Sequence, residues 1–358
     1  MYTYGLTGGI EKVCQTFVQV LEHLLEDNKI SHFLNLSLHD HITQNEHHQA
    51  FKANKVRFSY GVIKNIFQAD TIILSHIHLL PFAKLIRLLS PDKKIILFAH
   101  GIEVWKPLSN WQKKILRQID IWAVSSFTAE KIKQLHGLNK DKVTVLNHAL
   151  PLNYLGHCDV MATTDLKSKY QIPFEHQILL TICRLSSAEK YKGYDLVLLA
   201  LKDLIKIKPN ITYILVGKAD DVEHERILKL VSVYGLQKHV LLTGYVTDEE
   251  IDAFYKMADV FAMPSLAEGF GLVYIEAAAN GCHVLAGNCD GSQDALLHGA
   301  LGLLVDPKNV EAIYTGLLHL LENPLSVDEK QRRLEKISNH FSFDIYSEKV
   351  NGLLQKSS

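Results

Sequence analysis

No apolar stretch of this chain approaches the roughly 20 residues needed to span a bilayer. A run such as that inside Lys94-Ile95-Ile96-Leu97-Phe98-Ala99-His100 stops far short and reads as a buried strand. Net charge is nearly absent as well. With 38 Lys and Arg against 39 Asp and Glu, the formal charge is −1, so no global field holds a polyanion and nucleic acid is not an expected partner. The cysteines number five and include no C-x-x-C pair, which points away from a disulfide framework or a zinc site and toward a reduced, cytoplasmic compartment. No basic-then-apolar leader opens the chain, because Met1-Tyr2-Thr3-Tyr4-Gly5-Leu6-Thr7-Gly8-Gly9 runs directly into a turn, and export is not expected. Internal repeats, low-complexity tracts and any Asp-x-Asp motif are also missing.

What is present is a rhythm. The 358 residues are enough for two domains. Short β-branched runs alternate with helical patterns: Thr71 to Ser75, Lys94 to Phe98, Asp120 to Val124, Lys142 to Leu146, Gln177 to Ile182, Ile211 to Val216, His239 to Leu242 and Asp259 to Met263. Apolar runs with few polar interruptions are what strands need when helices cover both sheet faces, so the class is parallel α/β. Between Tyr194 and Ile207 a helix follows Gly193 and stops at Pro209-Asn210. The rhythm lapses between about Asn147 and Pro173, which places a hinge there. The expected organisation is a first domain over 1–150, a linker over 151–173 and a second domain over 174–340. A docking helix over 341–358 follows, entered after a break at Asn339-His340.

The most informative segment runs from Pro264 to Gly281. It follows a strand and opens a helix, so free N–H groups around Gly271, Leu272 and Val273 favour an anion such as a diphosphate. Gly269 and Gly271 let backbone approach a ligand closely. Glu268 and Glu276 lie eight apart, and an ionised carboxylate accepts two hydroxyl donors, which suits sugar or ribose diols. From the residues alone, a tight turn with Glu276 facing solvent in the first helical turn remains an equal alternative.

That spacing, with Gly269-Phe270-Gly271 inside it, resembles the retaining glycosyltransferases of glycosyltransferase family 4, which have the GT-B fold. Other motifs of that family stand in the same order: Gly8-Gly9, His100-Gly101-Ile102-Glu103, Arg184 with Lys192-Gly193, Val216-Gly217, and Gly244-Tyr245-Val246 before Asp248. The resemblance covers nearly the whole chain and implies two Rossmann-like, doubly wound domains facing across a cleft. It implies a nucleoside diphosphate sugar as donor, a glycan or glycolipid acceptor, retained configuration, no cofactor and no metal. Cell-surface polysaccharide or lipopolysaccharide synthesis is the expected setting.

By the same resemblance Glu276 binds the ribose diol. Arg184 and Lys192 hold the diphosphate with Gly9 and the amides of Leu272 and Val273, and Gly8 and Gly217 belong to the donor-binding set. Glu268 with the Phe270 and Gly271 amides takes sugar hydroxyls, backbone around Val246 meets the base, and His100 lies beside the transferred sugar. Two cations and a helix N-terminus then stabilise the departing diphosphate where another fold would use a metal. Read alone, Arg184 and Lys192 are solvated charges, and His100 is a satisfied polar residue at a strand's carboxyl end, where open α/β sheets bind ligands. Paired carboxyls also invite a glycosidase-like nucleophile, but the resemblance puts Glu268 at the far hydroxyls.

Two features stand outside the motif set. His39-Asp40-His41 through Glu46-His47-His48 has no separated metal-ligand pair and reads as a solvated loop. Over 81–117, Lys84, Arg87, Lys93, Lys94, Lys106, Lys113, Lys114 and Arg117 outnumber Asp92 and Glu103 around Trp105 and Trp111. A solvated helix face is the simpler reading, and peripheral contact with the inner face of the plasma membrane is the other. The family also begins with a β-strand of about ten residues before its glycine loop. Here only Met1 to Thr7 precede Gly8-Gly9, so the expectation is either a first strand lost to a misplaced start or a truncated gene, or an N-terminal sheet lacking a central member, with an incomplete donor cleft and lowered stability. A GT-B-like nucleotide-sugar epimerase and a catalytically silent nucleotide-sugar-binding relative are the competing functions.

Overall fold

A computed structural model describes residues 2–5, 8–154 and 162–356. The chain divides into two compact units, Met1–Tyr154 with Asn339–Ser358, and Leu155–Ser338.

In unit 1, helix α1 (Gly9–Glu26) precedes β1 (Asn35–Ser37) and β2 (His48–Ala50). Then come α2 (Lys55–Ile66), β3 (Thr71–Leu74), α3 (Leu80–Leu89), β4 (Lys94–Ala99), α4 (Asn110–Leu116), β5 (Asp120–Ala123), α5 (Ser126–His136) and β6 (Val143–Val145). Strands β3-β4-β5-β6 form one parallel sheet and β1-β2 a separate parallel pair. β4 shows why its residues are apolar throughout. Ile96 and Phe98 enter a cluster with Phe17, Val20 and Leu24 of α1 and with Trp122. Ile95, Leu97 and Ala99 face a second cluster containing Leu80, Ala83 and Ile86 of α3 and Ile115 of α4.

Unit 2 carries α6 (Ala162–Lys169), β7 (Gln177–Ile182), α7 (Tyr194–Ile207), β8 (Ile211–Val216), α8 (Asp221–Val233), β9 (Val240–Gly244) and α9 (Asp248–Met257). It continues through β10 (Val260–Met263), α10 (Leu272–Ala279), β11 (His283–Gly287), α11 (Ser292–Ala295), β12 (Leu303–Val305), α12 (Val310–Glu322) and α13 (Val327–Phe341), whose last residues from Asn339 on are counted in unit 1. Its parallel sheet has the order β12-β11-β10-β7-β8-β9. The chain therefore winds outward from β7 in one direction and from β10 in the other, the doubly wound arrangement with its switch point between β7 and β10. Leu179, Tyr213, Leu215, Val260 and Leu285 of the sheet are buried with Val197, Leu201 and Leu204 of α7 and Ile313 and Leu317 of α12.

The last helix, α14 (Phe343–Gln355), belongs to unit 1. Phe343, Tyr346 and Val350 join Phe17, Phe98 and Trp122 in one cluster. At its end the Lys94 ammonium donates to the carbonyls of Leu353 (2.9 Å) and Leu354 (3.3 Å), a cation where the last carbonyls need one. The break before it is at Ser342, whose hydroxyl accepts from the Ile345 N–H, while Asn339 and His340 stay inside α13.

The eight anticipated strands are all present, within two residues of the expected bounds. β1, β2, β11 and β12 were not anticipated, and α6 forms inside the stretch read as linker. The His39–His48 loop is not simply solvated, because Asp40 and His48 are both buried. The Asp40 carboxylate accepts the N–H groups of Thr3 (2.9 Å), Tyr4 (3.1 Å) and Gly5 (2.9 Å), and His48 Nε2 lies 3.4 Å from it. Burial pulls the Asp40 pKa up, but a hydrogen bond from the Ser37 side chain and those from the three backbone N–H groups outweigh it and hold the pKa below its ordinary value. Among the described residues ahead of α1, Tyr2–Gly5 form no strand.

All three tryptophans, Trp105, Trp111 and Trp122, lie in unit 1. Phe343→Ala is expected to cost that unit about 3–5 kcal/mol through loss of burial and the cavity left behind. Urea unfolding followed by tryptophan fluorescence measures it, and an unchanged midpoint would place α14 outside the unit 1 core.

Candidate functional site

Two loops meet at the carboxyl ends of β7 and β10, where an open α/β sheet leaves room for a ligand. The first, residues 183–193, leaves β7 and enters α7; the second, residues 264–271, leaves β10 and enters α10. They are tied by backbone, the Leu266 N–H donating to the Tyr191 carbonyl at 2.8 Å. They are also tied by charge. The Lys192 ammonium donates to Glu268 Oε2 at 2.6 Å, with the side chains only 15% and 17% exposed. Burial alone would pull the Lys192 pKa down, but Glu268 overrides it and holds the ammonium well above its usual value. Tyr191, whose ring centroid lies 5.5 Å from that ammonium, is pushed up to about 12 by burial.

The second loop is held from behind by residues that the sequence did not single out. Asp290, fully buried, accepts the Glu268 N–H at 2.6 Å and the Ser292 N–H at 3.0 Å. The Gly291 N–H returns the bond to the Glu268 carbonyl at 2.8 Å. A Cβ at Gly291 would collide with the Gly269 carbonyl oxygen, so only glycine fits this close approach. The available signal was the Asp-Gly pair in Cys289-Asp290-Gly291-Ser292, a turn dipeptide following an unrecognised strand.

Gly271 closes the loop with φ +88, a left-handed conformation that glycine adopts without strain, and becomes the N-cap of α10. Leu272 and Val273 thus stand in the first turn, where N–H groups have no acceptor inside their own helix. Phe270 is buried beneath the loop. Glu276, in the second turn, is 4% exposed and accepts from the Tyr255 hydroxyl at 2.9 Å. The alternative of a solvent-facing carboxylate is therefore set aside. Tyr255 is another residue that sequence reasoning missed.

Arg184 follows Cys183 in the β7 loop, largely exposed, with Nη2 3.1 Å from Glu189 Oε1. Gly217 leaves β8 directly beside it, its Cα facing the Cys183 carbonyl too closely for a side chain. Val246 is buried just past β9, ahead of a capping box in which the Glu250 N–H donates to the Thr247 hydroxyl at 3.3 Å. Arg184, Lys192, Gly217, Val246, the residues Glu268 to Val273 and Glu276 thus all sit in unit 2.

The remaining three belong to unit 1. Gly8 caps α1 and Gly9 is its first residue. His100 follows β4, its Nε2 2.8 Å from the Ser75 carbonyl and its N–H donating to Glu103 Oε1 at 2.6 Å. A carbonyl only accepts, so Nε2 carries the proton. Burial lowers the His100 pKa to about 4, which keeps the ring neutral at pH 7. Nδ1 is then an acceptor, buried and without a partner among the described residues. Such a nitrogen can accept from a ligand hydroxyl.

Comparisons with known proteins bear on the chain as a whole and on its second unit. Residues 163–340 match the family model for glycosyl transferases group 1. One relative is the GDP-mannose-dependent alpha-(1-6)-phosphatidylinositol monomannoside mannosyltransferase of Mycolicibacterium smegmatis, 36% identical over 152 residues. That match covers 40% of this chain and 39% of the relative, so the chain spans well under two thirds of its length. A glycosyltransferase from Rickettsia africae superposes with TM-score 0.78 at 20% identity, covering 99% of this chain and 96% of the other. Anabaena HepE, solved in complex with UDP, gives TM-score 0.78 at 17% identity over 98% and 97%. The fold is that of GT-B glycosyltransferases.

Asp290 gives the site a measurable titration. Burial raises its pKa to about 6, against 3.8 ordinarily, with its hydrogen bonds opposing. Folding therefore takes up a proton between about pH 4 and 6. The stability that Asp290 contributes is complete below pH 4 and lost as pH rises through 6, by up to about 3 kcal/mol. Urea unfolding across this range should show wild type losing stability relative to Asp290→Asn as pH rises. A difference independent of pH would mean that Asp290 titrates at its ordinary value.

Proposed function

We propose, for a chain that belongs through residues 163–340 to the group 1 glycosyl transferases, transfer of a sugar from a nucleoside diphosphate donor to an acceptor hydroxyl with the anomeric configuration retained. The observation that carries this reading is the pairing of Lys192 with Glu268 across the switch point, beside the open first turn of α10. A diphosphate needs cations and free N–H groups; a sugar needs a fixed carboxylate. Both stand within one ion pair of each other.

In this reading Arg184, Lys192 and the Leu272 and Val273 amides receive the diphosphate, with Gly8, Gly9 and Gly217 as further donor-binding positions. Glu276 takes the ribose diol, its carboxylate oriented by Tyr255. Backbone at Val246 meets the base. Glu268, with the Gly269, Phe270 and Gly271 backbone, takes sugar hydroxyls, and His100 offers its neutral Nδ1 to another. As the anomeric carbon leaves the phosphate oxygen, charge grows on the diphosphate and is met by groups already in place. The acceptor oxygen bonds to the anomeric carbon, and its proton passes to the departing phosphate oxygen on the same face. No covalent intermediate on Glu268 is invoked, and no metal is required.

The relatives' names extend the proposal to glycolipid or polysaccharide acceptors and to GDP- or UDP-linked donors. They are transferases, which favours transfer over the epimerase reading. No helix among the described residues is long and apolar enough to cross a membrane, so contact with a glycolipid acceptor is proposed to be peripheral.

Calorimetric titration with UDP, GDP and ADP in the presence of EDTA tests the donor site. One nucleotide is expected to bind without metal, and Glu276→Ala to weaken it by about 10- to 100-fold, the worth of a hydrogen bond to a charged group. Binding of none of the three, or binding only after magnesium is added, would overturn the assignment.

A further inference from the structure

Helix α2 is amphipathic with an apolar stripe turned outward. Its inner face is built conventionally: Phe58, Gly61 and Ile66 are buried, with Phe58 packed edge-on against Phe51 and Phe82 at 5.4 and 5.5 Å. On the opposite side, Val56 is 81% exposed, Tyr60 69%, Ile63 38% and Phe67, just past the helix, 62%. Their spacing of four, three and four residues places them within an arc of about 60°. Isolated exposed apolar side chains are ordinary, but four in one stripe are a surface. On α3, Leu88 (79% exposed) and Leu89 (42%) are exposed too, and beyond them the Lys93 ammonium reaches the Phe67 carbonyl at 3.4 Å.

The charges around this stripe have one sign. Lys55 flanks one side, Arg57 and Lys64 flank the other, and Lys52 precedes the helix, none of them ion-paired among the described residues. From His47 to Ala69 the sequence contains no Asp or Glu; Glu46 and Asp70 lie at its limits. Arg57, Tyr60 and Lys64 also line a recess of about 600 Å³ together with Lys52, Asn54 and Asn65. Apolar side chains thus project from a cationic border, beside a hollow whose walls carry three cations.

We infer that α2 is the face by which this protein lies on an anionic phospholipid bilayer, Val56, Tyr60, Ile63 and Phe67 entering the acyl boundary and the flanking cations meeting lipid phosphates. A helix of this pattern, apolar on one arc and basic beside it, binds in the interface plane through buried apolar area and attraction to anionic lipid. A second copy of the chain is a poorer occupant, since an isologous contact would bring the same unpaired cations together. The inference places the surface on α2, with the 81–117 stretch contributing its margin at Lys93. It deepens the membrane-side part of the proposed function without depending on donor binding, because vesicle binding is read without turnover.

Flotation of the full chain with vesicles tests it, using phosphatidylcholine alone against equal parts of phosphatidylcholine and phosphatidylglycerol. Wild type should float with the anionic vesicles only and dissociate as salt is raised. Tyr60→Ser with Phe67→Ser, and separately Arg57→Gln with Lys64→Gln, should each lower the partition by about tenfold or more, the first by removing apolar area that enters the acyl boundary and the second by removing two cations that meet anionic lipid. The positions are exposed, so unchanged circular dichroism and nucleotide binding check that the variants fold. Equal flotation with both vesicle types, undiminished flotation of both variants, or a lipid-free dimer abolished by Tyr60→Ser with Phe67→Ser would each overturn the inference.

Discussion

The Lys192–Glu268 ion pair is the contact on which the candidate site depends. It joins two loops 76 residues apart in sequence, one leaving β7 and the other β10, at the point where the unit 2 sheet reverses its winding. Two charges so little exposed gain from each other only when the geometry is good and the remaining groups are satisfied. Here the geometry is supplied from outside the pair. Asp290 and Gly291 fix the Glu268 backbone, and the Tyr191 carbonyl holds Leu266 against the first loop. Losing either partner would leave the other charge buried and alone.

The arrangement also shows how the groups of a polar site are held in place by their own neighbours. Glu268 points toward Lys192, Glu276 is oriented by Tyr255, and the first turn of α10 offers N–H groups that its own helix cannot use. These groups are stationed on a buried six-stranded sheet, so a ligand would meet them already oriented, which is what electrostatic stabilisation of a departing diphosphate requires. Unit 1 carries its chemistry differently. Its notable groups are a neutral His100 whose buried Nδ1 has no partner among the described residues, and a helix whose outer arc is apolar.

Much of the fold was legible because central parallel strands must be apolar on both faces, so Gln177 to Ile182 and Ile211 to Val216 announce themselves. β1 and β2 did not, being three residues each and largely polar. β11 was hidden by continuity: Cys282-His283-Val284-Leu285-Ala286 follows the alanines of α10 with only Asn280-Gly281 between them. At the site, the Glu268 to Glu276 spacing and the glycines were readable through family resemblance. The partners were not. That Lys192 chooses Glu268, that Asp290 clamps the loop and that Glu276 turns inward to Tyr255 all depend on strand order, which joins residues distant in sequence. Likewise, the buried Asp40 lies in a stretch polar enough to read as loop, and only its acceptance of three backbone N–H groups shows why it is inside.

The central proposal is that Lys192 serves a diphosphate and Glu268 a sugar, although the two are paired with each other in the structure. The most direct measurement compares nucleoside diphosphate affinity in Lys192→Ala, Glu268→Gln and the double variant, using whichever nucleotide the protein binds. Lys192→Ala is expected to weaken the nucleotide by about tenfold or more. Glu268→Gln, which releases the ammonium, should leave it unchanged or tighter while abolishing sugar transfer, and the double variant should bind like Lys192→Ala. If Glu268→Gln weakens the nucleotide as much as Lys192→Ala does, the pair acts only as a structural strut and the division of labour is wrong.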